Sequence, residues 1–386
     1  MTHAIDHTKG QMIGTVSQQW ASRPNDQKFL SLEALEAKTS EWMQQSYTKP
    51  VVPNAVKAIW NPDDENALVI ELDGAKIAPT NFGFGQIAAL AGAPASYLRT
   101  LPGALAAVNI NYGLQAAQQI PRLAYIRENG ETTLRAITSP KYGRIFDTHV
   151  VQAVRKIAGN GTGDTPWKVP GCIDWSGKHG ITYNPEVDIT TESTTLYASD
   201  RDVFMFLVDD KHPIEVGKLP DGSPDLVFRG FYVWNSEVGQ RTFGVAIMYL
   251  RGVCQNRCLW GVEGFTEVSF KHTAGAPDKF ALEAMPLLTK FSESGTSKVV
   301  AGVKAAKEIK VAVTDDERVT FLQKFGFSAK QANTVIAQVK IEEQHEPESV
   351  WDFAMGVTAV ARSMQYQDAR LQLESVAGKM LDQVAA

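Results

Sequence analysis

The chain has 386 residues, of which 44% are hydrophobic and 21% are charged, and its net charge of −5 corresponds to a pI near 5.9. This composition suffices for one large domain or two ordinary ones, and it excludes a domain that is basic throughout, as dedicated duplex-binding domains often are. Three cysteines do not make a disulfide framework, so a reducing cytoplasm is the predicted location. Because the sequence has no run of 18 apolar residues and no early apolar segment with a cleavage site, we expect neither a membrane span nor a signal peptide.

The first 50 residues are polar and rich in Gln, Ser and Thr, which predicts a flexible N-terminal arm with one short helix at 32–45. An α+β core domain is predicted over residues 51–276. It begins with two strands, at 56–60 and 68–72, around a turn at 63–65.

From Asn81 the apolar spacing becomes helical. The pattern breaks at 92–94 and a second helix is predicted at 105–117. The pair Asn129-Gly130 lies between alternating runs and predicts a hairpin with a type I′ turn.

Residues 159–180 form a long loop rich in Gly, Pro and Trp, a type that is usually functional or mobile. A second hairpin is predicted from 194–199 and 202–208, and residues 229–261 supply the next pair of strands.

The C-terminal region, 277–386, is predicted to be helical. Two capping boxes, Thr314 with Glu317 and Ser328 with Gln331, begin amphipathic runs, and one last helix is expected over 349–384. The order of these blocks predicts an α+β fold: an antiparallel sheet of hairpins with inserted helices and a C-terminal helical region.

Residues 229–261 combine four arginines and one glutamate, a net charge of +3, with six aromatic residues. Side chains two apart share a face of a strand, and the face that begins at Phe243 is mainly apolar. Two interpretations stay open for this segment. It is either an ordinary hairpin packed on one face, or it presents rings and arginines on an open face where nucleic-acid bases stack.

A second basic segment, 134–156, has a net charge of +4. The two segments together carry +7 in a chain of net −5, so the remaining residues carry −12. This segregation favours a local anionic partner. A turn at 139–142 leads into a helix that Asp147 or Thr148 would cap, and the N-terminus of that helix is a predicted phosphate site.

Other motifs favour packing over chemistry. Residues 86–101 have the local pattern of a helix-turn-helix, but Arg99 is the one basic residue of its second helix, so a packed helix pair is favoured. Cys254 and Cys258 have a spacing that fits zinc poorly. The sequence contains no GxxxxGK[ST], GxSxG or HExxH motif, so no catalytic residue, metal or cofactor is predicted.

Four segments together resemble a phage- and plasmid-borne family catalogued as a domain of unknown function (number 932). The segments are LRAITSPKYGRIFD (134–147), LYASDRDVFMFL (196–207), GFYVWNSEVGQRTFGVAIMYLRGVCQN (230–256) and WDFAMGVTAVARSMQYQDARLQLESVAGKML (351–381). The NSEVG turn, the strand after it and Cys-x-Asn are the most specific part, although Arg257 stands where a small residue is expected. The resemblance implies mobile elements and prophages as the setting. The family is also similar in general character to phage single-strand annealing proteins, which implies a curved antiparallel sheet with a basic groove.

These observations lead to the hypothesis of a non-enzymatic protein of phage or mobile-element DNA metabolism that binds single-stranded DNA in recombination, annealing or replication. The candidate nucleic-acid-binding residues are Arg135, Lys141, Tyr142, Arg144, Arg229, Tyr232, Trp234, Arg241 and Arg251. The alternative is a protein-binding module, such as an inhibitor of a host defence or restriction system, or a structural oligomer. The expected partners are single-stranded DNA and further copies of the chain, with no membrane partner.

Overall fold

The computed structural model describes residues 5–6, 23–170, 173–174, 182–183, 188–219, 222–251, 256–258, 267–364 and 367–383. These residues form two large sheets, one two-stranded sheet and several helices, most of the latter toward the C-terminus. All strand pairings among them are antiparallel except that of β6 with β8. The predicted α+β class with a helical C-terminal region is confirmed.

The strands are β1 (Ile5–Asp6), β2 (Lys28–Phe29), β3 (Ser46–Val51), β4 (Val56–Asn61), β5 (Asp64–Leu72), β6 (Ala75–Pro79), β7 (Arg122–Glu128), β8 (Thr132–Thr138), β9 (Trp167–Lys168), β10 (Ile173–Asp174), β11 (Thr182–Tyr183), β12 (Leu196–Ala198), β13 (Val203–Asp209), β14 (Ile214–Lys218), β15 (Pro224–Asn235), β16 (Phe243–Arg251), β17 (Asn256–Cys258) and β18 (Glu267–Phe270). The helices are α1 (Leu32–Gln44), α2 (Asn81–Leu90), α3 (Ala95–Leu98), α4 (Gly103–Ala116), α5 (Asp147–Ala158), α6 (Ala276–Lys279), α7 (Met285–Ser292), α8 (Ser297–Glu308), α9 (Asp315–Gln323), α10 (Ala329–Glu343), α11 (Val350–Arg362) and α12 (Gln367–Asp382).

The N-terminal sheet has the order β1-β5-β6-β8-β7-β3, with β4 paired to β5. The predicted β7–β8 hairpin is present, but its type I′ turn is wrong: Glu128 pairs with Thr132, so the loop has three residues, and of these only Gly130 has a positive φ, +86°. Glycine adopts such a φ without steric cost, which is why Gly130 sets the turn. Helices α2 and α4 pack on one face of the sheet and enclose a core of its own.

The central sheet has the order β17-β16-β15-β13-β12-β2, with β14 on β15, β18 on β16 and β9 on β13. Strands β13, β15 and β16 are almost continuously apolar because both faces of the sheet are covered. One face packs against α1, α5 and the C-terminal helices in the largest core. The other face carries a compact cluster of aromatic side chains.

The flexible arm predicted for residues 1–50 does not extend over residues 23–50. Helix α1 begins at the N-cap Ser31, and its Leu32 and Leu35 are fully buried in the largest core. Strand β3 then pairs with β7 along its whole length. The short helix predicted at 32–45 is thus present as α1, and its narrow apolar stripe is enough for anchoring.

The single last helix predicted over 349–384 is wrong. Helix α11 ends at Arg362, and α12 packs back against it. A straight helix of that length would extend about 50 Å and leave the buried sides of α11 uncovered. Both predicted capping boxes are present, and a third, Ser349 with Asp352, begins α11.

The helix-turn-helix pattern corresponds to α2 and α3, and α3 is a single turn of four residues. Arg99 lies over the Phe84 ring at 4.5 Å and donates to Asn81, so it holds the two helices together.

None of the helices in the described ranges combines the length and the apolarity needed to cross a membrane.

Candidate functional site

The turn between β15 and β16, Asn235–Gly239, is the structural centre of the predicted site. We refer to it as the junction turn, because it inserts between the two large sheets. Its first four residues are buried, and Val238 packs with Tyr125 and Ala136 of the N-terminal sheet. Gly239 has φ +91°, which lets the chain turn back toward β16.

Glu237 is the most connected residue of the junction turn. Its Oε2 accepts hydrogen bonds from the Arg135 guanidinium at 2.7 Å and from the Tyr125 hydroxyl at 3.0 Å. Its Oε1 accepts from the backbone N–H of Asp147 at 2.8 Å. The predicted phosphate site at the N-terminus of α5 is therefore filled by this carboxylate, and neither Asp147 nor Thr148 caps the helix with its side chain.

The carboxyls of Glu237 and Asp147 have pKa values shifted in opposite directions. Burial alone would raise the pKa of Glu237, but the charge and hydrogen bond of Arg135 outweigh it, so the pKa is lowered. The pKa of Asp147 is raised well above its ordinary value, first by burial and then by the charge of Glu237. These shifts favour the negative charge on Glu237 and the proton on Asp147.

The remaining polar groups of the junction turn bind the segment that leads into α5. Asn235 donates to the Ile145 carbonyl at 2.8 Å and to Asp147 Oδ1 at 2.7 Å. The Tyr142 hydroxyl donates to the Ser236 carbonyl at 3.0 Å. Arg144 donates to the Glu237 carbonyl, and its guanidinium lies 3.8 Å from the centre of the Tyr125 ring.

A second ion pair lies at the β12–β13 turn. Arg23 contacts both oxygens of the buried Asp202 carboxylate, at 2.6 and 2.9 Å. Arg241 approaches the same carboxylate at 3.4 Å, and Arg135 donates to the Asp200 carbonyl at 2.8 Å. The predicted phosphate ligand Arg241 is thus already close to an acidic partner.

Arg127 is a buried arginine that packs against an aromatic ring. Its guanidinium stacks on the Trp42 ring at 4.6 Å, and within the described residues Nε and Nη2 have no hydrogen-bond acceptor. Burial, and then the charge of Arg135, lower its pKa to about 10. It therefore remains charged at neutral pH and adds to the positive potential of the N-terminal sheet.

Two of the predicted arginines lie at the far end of the central sheet. Arg229 donates to Asp209 at 2.7 Å and to the Ser294 carbonyl of the C-terminal region. Arg251 pairs with both oxygens of Asp225, at 2.8 and 3.0 Å, and with Glu343. Both guanidiniums are buried, so they bind the helical region to the sheet and do not reach the surface.

Arg251 lies at the floor of a cleft of about 640 Å³ between β14–β16 and the C-terminal helices. From the opposite wall, the Lys307 ammonium donates to the Asp225 carboxylate at 2.9 Å. The Trp351 ring centre lies within 6 Å of the Arg251 guanidinium and of the Lys307 ammonium. The lining carries four Lys and Arg against five Asp and Glu. This near balance, together with the pairing at its floor, makes the cleft an ion-paired junction and not a basic groove.

The predicted stacking residues are largely enclosed. Tyr232 is fully buried in the aromatic cluster, and its hydroxyl donates to Glu374 of α12 at 2.9 Å. Trp234 is half-buried and lies across Gly244, whose hypothetical Cβ would come within 2.0 Å of the indole. An open stacking face on this hairpin is therefore limited to one side of Trp234.

One group of positive charges lies where residues 139–146 meet residues 271–273. Gly143 N–H donates to the His272 carbonyl at 3.1 Å, and the Tyr142 and His272 rings stack at 5.2 Å. Arg144 lies over the Tyr142 ring at 5.3 Å, and the exposed Lys141 and Lys271 are chain neighbours of Tyr142 and His272; we name these three cations the basic rim. Within the described part of the chain, no carboxylate lies at ion-pairing distance from any of the three.

The structure thus brings five of the nine predicted residues to the junction turn, namely Arg135, Lys141, Tyr142, Arg144 and Arg241. The sequence interpretation missed Lys271 and His272, which lie in a short segment without motif or charge excess. Cys254 lies outside the described residues. Among the described residues, no group of three or more His, Cys, Asp and Glu side chains is placed to hold a metal ion.

Comparison with known proteins finds no matching family model, no matching curated protein and no matching solved structure. The resemblance described above therefore stays a prediction.

Proposed function

We propose that the protein binds single-stranded DNA, without catalysis, at the basic rim beside the junction turn. The observation that supports this proposal is that Lys141, Arg144 and Lys271, next to the stacked Tyr142 and His272, have no carboxylate partner among the residues that the structure describes. In a chain of net charge −5, an anion would be attracted only by a local group of cations such as this one.

Burial decides which of the predicted residues can take part. Arg135, Arg229, Arg251 and Tyr232 are buried and occupied by partners within the chain. Phosphates would contact the exposed Lys141 and Lys271, and the partly exposed Arg144, which also donates to the Glu237 carbonyl, would add its charge. The half-buried rings of Tyr142 and Trp234 would supply the stacking surface, a contribution of about 1–3 kcal/mol per base.

Binding to so few cations should be weak and salt-dependent. Each phosphate contact with a single strand contributes about −0.7 to the slope of log K against log salt, so three contacts give roughly −2. The test is fluorescence anisotropy of a labelled oligothymidylate titrated with the full chain at several salt concentrations.

The decisive variant is Lys141→Glu with Lys271→Glu, which we expect to weaken binding at low salt by roughly tenfold or more. The matched control is Lys298→Glu with Lys330→Glu, which changes the net charge equally at two exposed lysines outside the rim. If both double variants weaken DNA binding equally, the effect comes from net charge alone, and the basic rim is not the binding site. No binding by the wild-type protein at low salt would contradict the function and favour a protein-binding module.

A further inference from the structure

Helix α4 is apolar on two opposite faces. Its inner face packs on β4 and β5 through Ala106, Ile110 and Leu114, all fully buried. On the opposite face Leu105, Val108 and Tyr112 are 53%, 65% and 78% exposed. Their spacing of three and four residues places them in one stripe along the helix. A helix that is apolar on both faces is usually covered on both.

The chain segment that carries this stripe is almost free of charged residues. Between residues 77 and 121 the sequence contains one charged residue, Arg99, although 21% of the chain is charged. Arg99 is occupied between Phe84 and Asn81. Other exposed apolar side chains, such as Ile341 on α10, occur without this charge-free neighbourhood.

We propose that this stripe is the contact of a homodimer in which α4 packs antiparallel against α4 of a second copy. In a two-fold contact the same surface of both copies meets, so a charged residue near the axis would face the same charge on the other copy and be repelled. A stripe without charged residues avoids this repulsion. With the axis near Val108, Leu105 of one protomer meets Tyr112 of the other, and Val108 meets its own copy.

The same absence of charge disfavours other partners. An interfacial membrane helix carries Lys and Arg on its polar face, and α4 has neither. Nucleic acid requires cations, which the stripe lacks. A protein partner steered by charge would find nothing complementary here. A second copy, which carries the same net charge of −5, approaches most easily through its least charged surface.

The test measures molar mass by light scattering coupled to size exclusion, over a range of protein concentrations. The wild-type protein should have twice the 42.3 kDa of one chain. Val108→Glu and Val108→Lys should each have the mass of one chain, because like charges then meet at the axis. A mixture of the two variants should recover the mass of two chains, which no effect on folding would produce.

The matched control is Ile341→Glu, which places the same charge on an exposed apolar residue of another helix and should leave the dimer intact. A wild-type mass of one chain at every concentration overturns the proposal. So does a dimer that Val108→Glu leaves unchanged, or a mixture of the Glu and Lys variants that stays monomeric. DNA binding is measured separately, so its failure and the failure of the dimer are distinguishable.

Discussion

Arg135 and Glu237 form a fully buried ion pair of 2.7 Å between residues 102 positions apart in the chain. Arg135 belongs to β8 of the N-terminal sheet and Glu237 to the junction turn of the central sheet. The pair therefore connects the two sheets directly. Buried pairs of this kind contribute little net stability when intact, but a partner left alone is costly because its charge stays buried without compensation.

Glu237→Gln should destabilise the protein by about 3–5 kcal/mol, since the buried Arg135 guanidinium loses its counter-charge while the shape is kept. Urea unfolding followed by circular dichroism measures this difference. The control Glu267→Gln changes an exposed glutamate of β18 and should have almost no effect. In the double variant with Arg135→Met the loss should be smaller than the sum of the two single losses. Additive losses would contradict a direct coupling.

Asp147→Asn should raise the melting temperature at neutral pH. Burial and the neighbouring Glu237 raise the pKa of Asp147 in the folded state. A raised folded pKa means that the wild-type protein loses stability as pH rises from the ordinary Asp value through the folded value. Asparagine resembles the protonated acid and still accepts from Asn235 through Oδ1.

The melting temperatures of the wild-type protein and Asp147→Asn should therefore converge near pH 4 and diverge as pH rises. A difference that is independent of pH would show that the titration of Asp147 is not its cause.

Asp225→Asn should have the opposite pH dependence. Burial raises the pKa of Asp225, but the hydrogen bond and charge of Arg251, followed by those of Lys307, outweigh it, and the pKa is lowered. A lowered folded pKa contributes stability above the ordinary Asp value that is lost as pH falls through the folded value. The variant should lose about 3–5 kcal/mol at neutral pH, because two cations lose their shared partner.

Urea unfolding at neutral and acidic pH tests this expectation for Asp225. The difference from wild type should shrink on acidification. Asp278→Asn, at an exposed position, is the control and should match wild type throughout. A loss that grows toward low pH would contradict the assigned sign.

Gly244→Ala should destabilise the central sheet by about 1–3 kcal/mol, because the new methyl group would overlap the Trp234 indole. The control Gly85→Ala adds a methyl group within α2 where nothing lies within 4 Å, and it should stabilise by about 0.5–1 kcal/mol. Combined with Trp234→Ala, the change at Gly244 should cost little further. If Gly244→Ala is as harmful without the indole as with it, the contact is not the cause. Urea unfolding measures all four variants.

Local structure was largely predictable from the sequence. Asn129-Gly130 predicts the hairpin correctly but not its turn type, because Gly130 alone has a positive φ and the loop has one residue more than a type I′ turn. The capping boxes predict the starts of α9 and α10 because each is closed by neighbouring side chains. The alternation of β16 also indicated that much of the hairpin is core. These features depend on interactions between residues close in the chain.

Short-range sequence patterns could not predict which arginines are exposed and which are paired with acids. The sequence counts arginines within a segment, but the acids that neutralise them come from elsewhere: Glu237 is 102 residues from Arg135, and Glu343 is 92 from Arg251. Whether a guanidinium faces solvent or a carboxylate depends on which segments the fold brings together. The sequence therefore locates the basic segments, but among the residues that the structure describes only Lys141 and Arg144 of the predicted phosphate ligands have no carboxylate partner.

The sequence by itself determined the fold class, the hairpins and the charge-free stretch around α4, because each depends on composition or on short-range geometry. Only the tertiary structure decided that the NSEVG turn joins the two sheets, since Glu237 acquires its role from Tyr125, Arg135 and Asp147. It also decided that the outer face of α4 is exposed. Burial of a charge or exposure of an apolar side chain is a property of the packed chain, because desolvation depends on every segment that surrounds the group.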